Sequence, residues 1–215
     1  MQRIKDTFLD RVEETLLLKG LEVLEIGCGD GSRSVAIAGR CKHLTAVEPD
    51  ERKLKQAAAR QIPNATFSVG SAEKLSLSDH VFDAVIFTLS FHHIAEDKME
   101  MAIDEAVRVA QKLGHIIFLE PTEDGTFFDA EILFDACDGD ERKEKRAAYK
   151  AMMSYTKLEA VREVDDETVL KFDSTEDFIE SMGPQKNQNK VQEFLEKNAF
   201  TLRAGRRITL FRTRT

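Results

Sequence analysis

Three glycines at alternate positions follow an apolar run, and this spacing suits the binding of a small ligand. The segment Val23-Leu-Glu-Ile-Gly27-Cys-Gly29-Asp-Gly31-Ser-Arg33 predicts a strand that turns tightly into a helix. Glycine permits such a turn and lets a ligand lie against the main chain with no Cβ in the way. The free N–H groups of the helix that follows would attract a carboxylate or a phosphate.

The spacing separates two kinds of nucleotide-like ligand. A dinucleotide site has Gly-x-Gly-x-x-Gly/Ala, and counting from Gly27 places Ser32 at the third of these positions. The pattern Glu25-x-Gly27-x-Gly29-x-Gly31 instead resembles motif I of the class I S-adenosylmethionine-dependent methyltransferases. That resemblance implies S-adenosyl-L-methionine as cofactor and S-adenosyl-L-homocysteine as product.

Two residues of this motif carry side chains with a distinct expected role. Glu25 lies inside an apolar strand, where a bare charge is costly to bury, so we expect a cationic partner such as the ammonium of the methionine moiety. Cys28 stands between two motif glycines and is expected to be a small filler beside the cofactor, not a nucleophile.

The next two predicted strands end in residues that match the same family. Glu48 ends the strand Leu44–Val47, and a carboxylate there can accept hydrogen bonds from both ribose hydroxyls. Gly70-Ser-Ala-Glu-Lys-Leu is similar to the family's Gly-Asp-Ala-Glu-x-Leu, which contacts adenine. This likeness implies that Ser71, Ala72 and Glu73 lie at the adenine, with the backbone N–H of Ala72 reaching the ring.

The fourth predicted strand ends near two histidines. Its sequence, Phe82-Asp-Ala-Val-Ile-Phe-Thr-Leu-Ser-Phe-His-His-Ile94, resembles the small-molecule branch of the family, the methyltransferase type 11 branch. Thr88 is expected at the cofactor, and His92 and His93 are the candidate catalytic bases near the methyl group. A histidine pair at a strand end can equally be a hydrogen-bonded structural pair.

Short apolar runs alternate with segments of helical periodicity, which is typical of βαβ units around a parallel sheet. The pattern and the resemblance together predict an α/β fold with a doubly wound, mostly parallel, seven-stranded Rossmann-like sheet. Its C-terminal strand is expected to be antiparallel, with a helical insertion after the fifth strand. The expected strands contain Leu21–Ile26, Leu44–Val47, Thr66–Val69, Ala84–Thr88 and Ile116–Leu119.

We expect one methyltransferase domain over residues 1–215. The segment 122–187 is expected to be a helical lid with an apolar inner face, or a satellite core that packs only against itself. Its charged run Asp138–Arg146 is typical of a solvated helix face, and the arginines after Glu196 suit the protection of an edge strand. The other expected parts are an N-terminal helix (1–19), a cofactor-binding core (21–121), and a final helix and β-hairpin (188–215) that turns near Ala204–Gly205.

Composition narrows the partners. The chain has 31 Lys and Arg against 39 Asp and Glu, a net charge of −8, which disfavours nucleic acid. The fourth strand also carries no Asn/Asp-Pro-Pro-Tyr/Phe of the exocyclic-nitrogen methylases, so a small-molecule methyl acceptor is expected. Three cysteines without CxxC spacing favour neither disulfides nor a metal, and they suit the cytoplasm. No membrane span is expected, and the oligomeric state stays open.

The sequence therefore predicts a methyltransferase that moves the methyl group of S-adenosylmethionine to a small molecule by in-line displacement. Two alternatives stay open. One is an NAD-dependent oxidoreductase on a Rossmann fold, which the glycine spacing and a missing Tyr-x-x-x-Lys pair argue against. The other is a module that binds S-adenosylmethionine without turnover.

Overall fold

A single mixed sheet runs through the protein, and the structure, a computed structural model, describes residues 1–214. Its strand order is β1-β7-β8-β6-β5-β2-β3-β4. Strands β4, β3, β2, β5 and β6 are parallel neighbours, whereas β8, β7 and β1 continue the sheet in antiparallel pairs. The strands are β1 Gln2–Asp6, β2 Glu22–Ile26, β3 His43–Glu48, β4 Ala65–Val69, β5 Phe82–Thr88, β6 Ala110–Pro121, β7 Leu158–Lys171 and β8 Thr201–Thr213.

Helices cover both faces of the sheet. On one face, α1 and the helices after β2 and β3 bury Val12, Ile37 and Ala57. On the other face, α4 and α6 pack Met99 and Met152 against the sheet. The helices are α1 Phe8–Glu13, α2 Ser34–Ala38, α3 Glu51–Ala59, α4 Met99–Val109, α5 Thr126–Phe134, α6 Arg142–Ser154, α7 Thr175–Met182 and α8 Val191–Lys197. None of these helices, within residues 1–214, has the length and hydropathy needed to cross a membrane.

The α/β fold and its parallel centre are confirmed. All five apolar runs form strands. Four of them are largely buried because helices cover both faces, as in β5, where Ala84, Val85 and Ile86 are 0% exposed. The edge strand β4 is partly exposed, with Val69 at 56%. The antiparallel C-terminal strand is also present. The count of seven strands is wrong, because β1 at the N-terminus adds an eighth.

The predicted N-terminal helix over 1–19 is wrong at both ends, since residues 14–19 are not helical either. Residues Gln2–Asp6 form β1, an exposed strand on the sheet edge that pairs antiparallel with β7. Only Phe8–Glu13 is helical, with Phe8 and Val12 buried. Ile4 fits the helical period but is 54% exposed. The segment is a strand because pairing with the open edge of β7 satisfies its backbone N–H and C=O groups.

The expected C-terminal hairpin is also wrong. Strand β8 runs without a turn through Ala204 and Gly205, which pair with Thr168 and Glu167 of β7. Gly205 serves close packing instead, since a Cβ there would lie 2.4 Å from Thr122 Oγ1. Thr215, the last residue of that predicted segment, lies outside the described residues.

The segment 122–187 is only partly the expected helical insertion, because its 14-residue strand β7 belongs to the sheet. Its apolar residues divide between two cores. Met152 joins the core under α4, whereas Phe134 packs with Phe172 and Phe178 in a separate cluster beside α7 and α8. Helix α7 begins after Ser174, whose Oγ accepts the N–H of Asp177.

Candidate functional site

A cavity of about 730 Å³ opens beyond the carboxyl ends of the parallel strands. It lies where the strand order reverses, with β3 on one side of β2 and β5 on the other, which is where doubly wound sheets bind ligands. Most of the residues expected at the cofactor line it: Gly27, Cys28, Gly29, Glu48, Ser71, Ala72, Glu73 and Thr88. We call it the glycine-loop cavity.

The glycine loop is held in place by close packing. Gly27 has φ +77°, and a Cβ on it would lie 2.2 Å from the Cβ of Ser90. Gly31 does not line the cavity, and a Cβ there would lie 2.8 Å from the Cβ of Ala57 in α3. Around Gly29 the position of a Cβ is open, so a ligand can approach the main chain there.

Glu48 is fixed by backbone donors and faces the glycine-loop cavity. The N–H of Gly29 donates to Oε2 at 2.9 Å, and the N–H of Asp50 donates to Oε1 at 3.1 Å. The residue is 7% exposed, so a ligand that reaches it meets a carboxylate already oriented and largely removed from water.

Glu25 does not line the glycine-loop cavity. It is fully buried, and its carboxylate accepts hydrogen bonds from Ser34 Oγ at 2.5 Å and Thr88 Oγ1 at 2.9 Å. Burial raises the pKa of the Glu25 carboxyl, although these hydroxyls oppose the shift. In this structure Glu25 therefore positions Thr88, which does reach the cavity, and stands one residue layer behind it.

Cys28 behaves as the expected small filler. It is 6% exposed, and burial together with the nearby carboxylates of Glu25 and Glu48 raises the pKa of its thiol to about 12. A thiol with such a pKa is protonated near neutral pH and is a poor nucleophile.

A second cavity of about 240 Å³ adjoins the first. We call it the arginine cavity, because Arg3 of β1, Arg33 and Arg206 of β8 all line it. Four residues line both cavities and mark the boundary that the cavities share: Arg33, Leu89, His93 and Asp138.

The two histidines differ sharply in their surroundings. His92 is 4% exposed, and its Nδ1 pairs with a carboxylate oxygen of the buried Glu120. Glu120 also accepts the backbone N–H of Phe91 at 3.0 Å and that of His92 at 3.2 Å. This carboxylate therefore fixes both the ring of His92 and the backbone beside it. Of the two cavities, His92 lines the arginine cavity and not the glycine-loop cavity.

His93 lies at the boundary that the two cavities share, and its side chain is 50% exposed. Its Nδ1 is 3.3 Å from Glu141 Oε1, and this hydrogen bond raises the pKa of the His93 imidazole despite partial burial. His92, His93 and Glu141 bring ligand atoms within 4.8 Å of one another, a spacing that could hold a metal ion. Lys145 Nζ, 3.8 Å from Glu141 Oε2, already supplies positive charge there.

The structure adds residues that the sequence interpretation missed. The run Asp138–Arg146 is not simply a solvated face, since Asp138 and Glu141 line the arginine cavity and Lys145 is buried. Arg206 lies on an interior strand, so edge protection does not explain it. Glu120 stands before Pro121 at the end of a strand, a position that could have flagged it.

Comparison with known proteins agrees with this geometry. Residues 24–118 match the family model of the methyltransferase domain. An uncharacterized methyltransferase of Bacillus velezensis is 28% identical over 115 residues, which cover 54% of this chain and 53% of that protein. One of Bacillus mycoides is 30% identical over 101 residues, 46% of each chain. The chain thus aligns with about half the length of the curated relatives it matches.

The likeness in three dimensions extends further. A candidate methyltransferase of Bacillus halodurans C-125, known from its crystal structure, superposes with a TM-score of 0.67 over 98% of this chain and 100% of that one, at 18% identity. The fold is thus that of the Rossmann-like methyltransferases. Residues 24–118 are thus similar to the methyltransferase domain family, and this match spans less than half of the chain.

Proposed function

We propose that this protein transfers the methyl group of S-adenosylmethionine to a small-molecule acceptor, with the cofactor in the glycine-loop cavity and the acceptor in the arginine cavity. The observation that carries this proposal is that the two cavities adjoin, with Arg33, Leu89, His93 and Asp138 lining both. A methyl donor and its acceptor must meet at one point, and adjoining cavities allow this.

The residues present suit the cofactor. A volume of about 730 Å³ lies within the usual range of ligand sites. Glu48 would accept the ribose hydroxyls, the segment Ser71–Glu73 would lie at the adenine, and the open backbone at Gly29 would lie against the ligand. Glu25 would act indirectly through Thr88. When bound, S-adenosylmethionine supplies a methyl group that its sulfonium already makes electrophilic.

The chain's own part is to align the acceptor in line with that methyl group, exclude water and remove a proton. His93 is the better placed of the two histidines, since it lines both cavities. With Nδ1 toward Glu141, its Nε2 would take the proton that an O–H or N–H acceptor releases as the new bond to the methyl carbon forms. His92 would be a positioning residue, fixed by Glu120.

The direct test is a ligand panel read by thermal unfolding. S-adenosylhomocysteine at a hundredfold excess over its Kd should raise Tm by about 5–10 °C, because it binds only the folded chain. NAD and NADP should leave Tm unchanged. Stabilisation by NAD alone would support the oxidoreductase alternative and end the proposal. Binding of S-adenosylhomocysteine without methyl transfer to any compound of an acceptor library would favour the non-catalytic module.

The role of His93 predicts a pH effect. The Glu141 carboxylate stabilises the protonated imidazole, so Glu141→Gln should lower the pKa of His93. In the wild type this pairing contributes stability at low pH that is lost as pH rises through the folded-state pKa. The neutral base would therefore form at lower pH in the variant, and the acid limb of the rate profile should move to lower pH.

NMR titration of the His93 ring measures this shift directly and needs no acceptor. Glu144→Gln is the control, because Glu144 is an exposed residue of the first turn of α6, the helix that Glu141 precedes. An unchanged His93 titration in Glu141→Gln would show that Glu141 does not set the charge of His93.

A further inference from the structure

The arginine cavity is lined by guanidinium groups whose N–H donors are not all satisfied by the described residues. Arg206 is 1% exposed, and its Nε and Nη1 have no hydrogen-bond partner among the described residues. Its Nη2 alone takes up the acidic partners, Asp6 at 2.8 Å and the carboxylate of Asp166. Buried guanidinium N–H groups without acceptors are costly, so an acceptor from a ligand would be favourable here.

Two further arginines line the same cavity. Arg33 also has an unpartnered buried Nε, and burial followed by the like charges of Arg3 and Arg206 lowers the pKa of its guanidinium to about 10. Arg3 has only one salt-bridge partner among the described residues, Asp6, at 3.5 Å. Asp124 and Asp138 also line the cavity, so the unpartnered guanidinium N–H groups, and not the net charge of the lining, indicate a site for a ligand's negative charge.

The remaining wall has a different chemistry. Phe127 and Phe128 of α5 line the cavity and are only half-buried, so they offer apolar surface to an organic body. The acidic side chains of the α5–α6 wall, Glu131 and Glu141, share Lys145, with Glu131 at 3.5 Å from its Nζ. Lys145 thus pairs with both carboxylates, whereas Nε of Arg33 and Nε and Nη1 of Arg206 have no partner among the described residues.

Arg33 borders both cavities and could also meet the carboxylate of the cofactor. Arg3 and Arg206 line only the arginine cavity of these two, so a bound cofactor in the glycine-loop cavity leaves them free. An anion bound by Arg3 and Arg206, with its organic body along α5, would point its uncharged end toward His93 at the boundary of the two cavities.

We propose that the acceptor is a small organic anion, whose carboxylate or phosphate group is bound by Arg3 and Arg206 of the arginine cavity. This rests on the proposed function for its identification as the acceptor, but the anion site itself can be measured on its own. A carboxylate and a phosphate share the required chemistry, and the probes below distinguish them.

The test is calorimetric titration with benzoate, phenyl phosphate and uncharged benzamide, with and without saturating S-adenosylhomocysteine. We expect one of the two anions to bind at least about tenfold more tightly than benzamide, a factor that corresponds to one charge-assisted contact. The tighter of the two identifies the head group. Equal binding of benzamide and both anions would overturn the proposal.

Arg3→Gln is the variant of choice, because Arg3 lies on the exposed edge strand and its removal spares the buried pair of Arg206 and Asp166. It should weaken anion binding at least about fivefold and leave the affinity for S-adenosylhomocysteine unchanged, since it removes one of the cationic contacts. Arg3→Lys should restore part of the binding. Arg212→Gln, an exposed arginine of β8, is the matched control and should bind as the wild type does.

Anion binding that is identical in Arg3→Gln and the wild type would overturn the site. A chain that binds no S-adenosylhomocysteine but still binds the anion through Arg3 would end the proposed function and keep the anion site. The two failures are therefore distinguishable in the same set of titrations.

Discussion

Glu48→Gln should weaken the binding of S-adenosylhomocysteine by about 10- to 100-fold, equivalent to about 1.4–2.8 kcal/mol. The variant retains one carbonyl oxygen but loses the charge and the second acceptor, so at most one ribose hydroxyl keeps its bond. The backbone donors of Gly29 and Asp50 also lose their charged partner, and the loop they belong to lines the glycine-loop cavity.

Titration calorimetry measures this change, with Glu51→Gln as the control. Glu51 is the exposed first residue of α3, three positions along the chain, and its replacement should leave affinity unchanged. Wild-type affinity in Glu48→Gln would remove Glu48 from the cofactor site. Thermal unfolding of the free variant separates a loss of binding from a loss of folding.

Arg206→Met should lower the free energy of unfolding by about 3–5 kcal/mol, because it leaves a buried carboxylate without its cationic partner. The side chains of Arg206 and Asp166 are each 1% exposed, and they pair directly. Methionine has a similar length to the replaced side chain, but it leaves the buried Asp166 without its cationic partner.

Urea unfolding checks this value against Arg207→Met, the neighbouring residue on β8. Arg207 pairs with Asp165 at 2.7 Å, but that carboxylate is 70% exposed, so its loss should cost only about 0–1 kcal/mol. Equal stability of the two variants would show that the buried pair contributes no more than a surface one. The result also explains why Arg3, and not Arg206, is the residue to change in the anion test.

The sequence was most informative at the centre of the sheet. Strands such as Ala84–Thr88 are covered on both faces, so they appear in the sequence as continuous apolar runs. The glycine loop was recognisable for a related reason. Its close contact with Ser90 admits no side chain at Gly27, which restricts residue type at a fixed spacing.

The antiparallel part of the sheet could not be predicted in the same way. Strand β7 carries charged residues along much of Leu158–Lys171 and no continuous apolar run before Val169, and such a polar stretch favours a loop when only the sequence is known. Strand β1 is exposed throughout and exists because β7 offers it an open edge. Pairing between residues 2–6 and 168–171 depends on the rest of the fold, which no local pattern encodes.

The arginine cavity was missed for the same physical reason. Arg3 and Arg206 are 203 positions apart in the chain, and only the pairing of β1, β7 and β8 side by side in the sheet places them at one cavity. In the sequence each is one charged residue among others. Glu141 was similarly hidden in a mixed-charge run whose polar residues divide between solvent and the cavity.

The two adjoining cavities are built from different stretches of polypeptide. All the residues that line the glycine-loop cavity except Asp138 fall within positions 26–95, whereas most of those around the arginine cavity come from before position 4 or after position 120. The arginine cavity could therefore be reshaped by altering the terminal strands and α5, with the residues of the glycine-loop cavity left intact. The same division would let the glycine-loop cavity be changed near Glu48 and Ser71 without altering the arginine cavity.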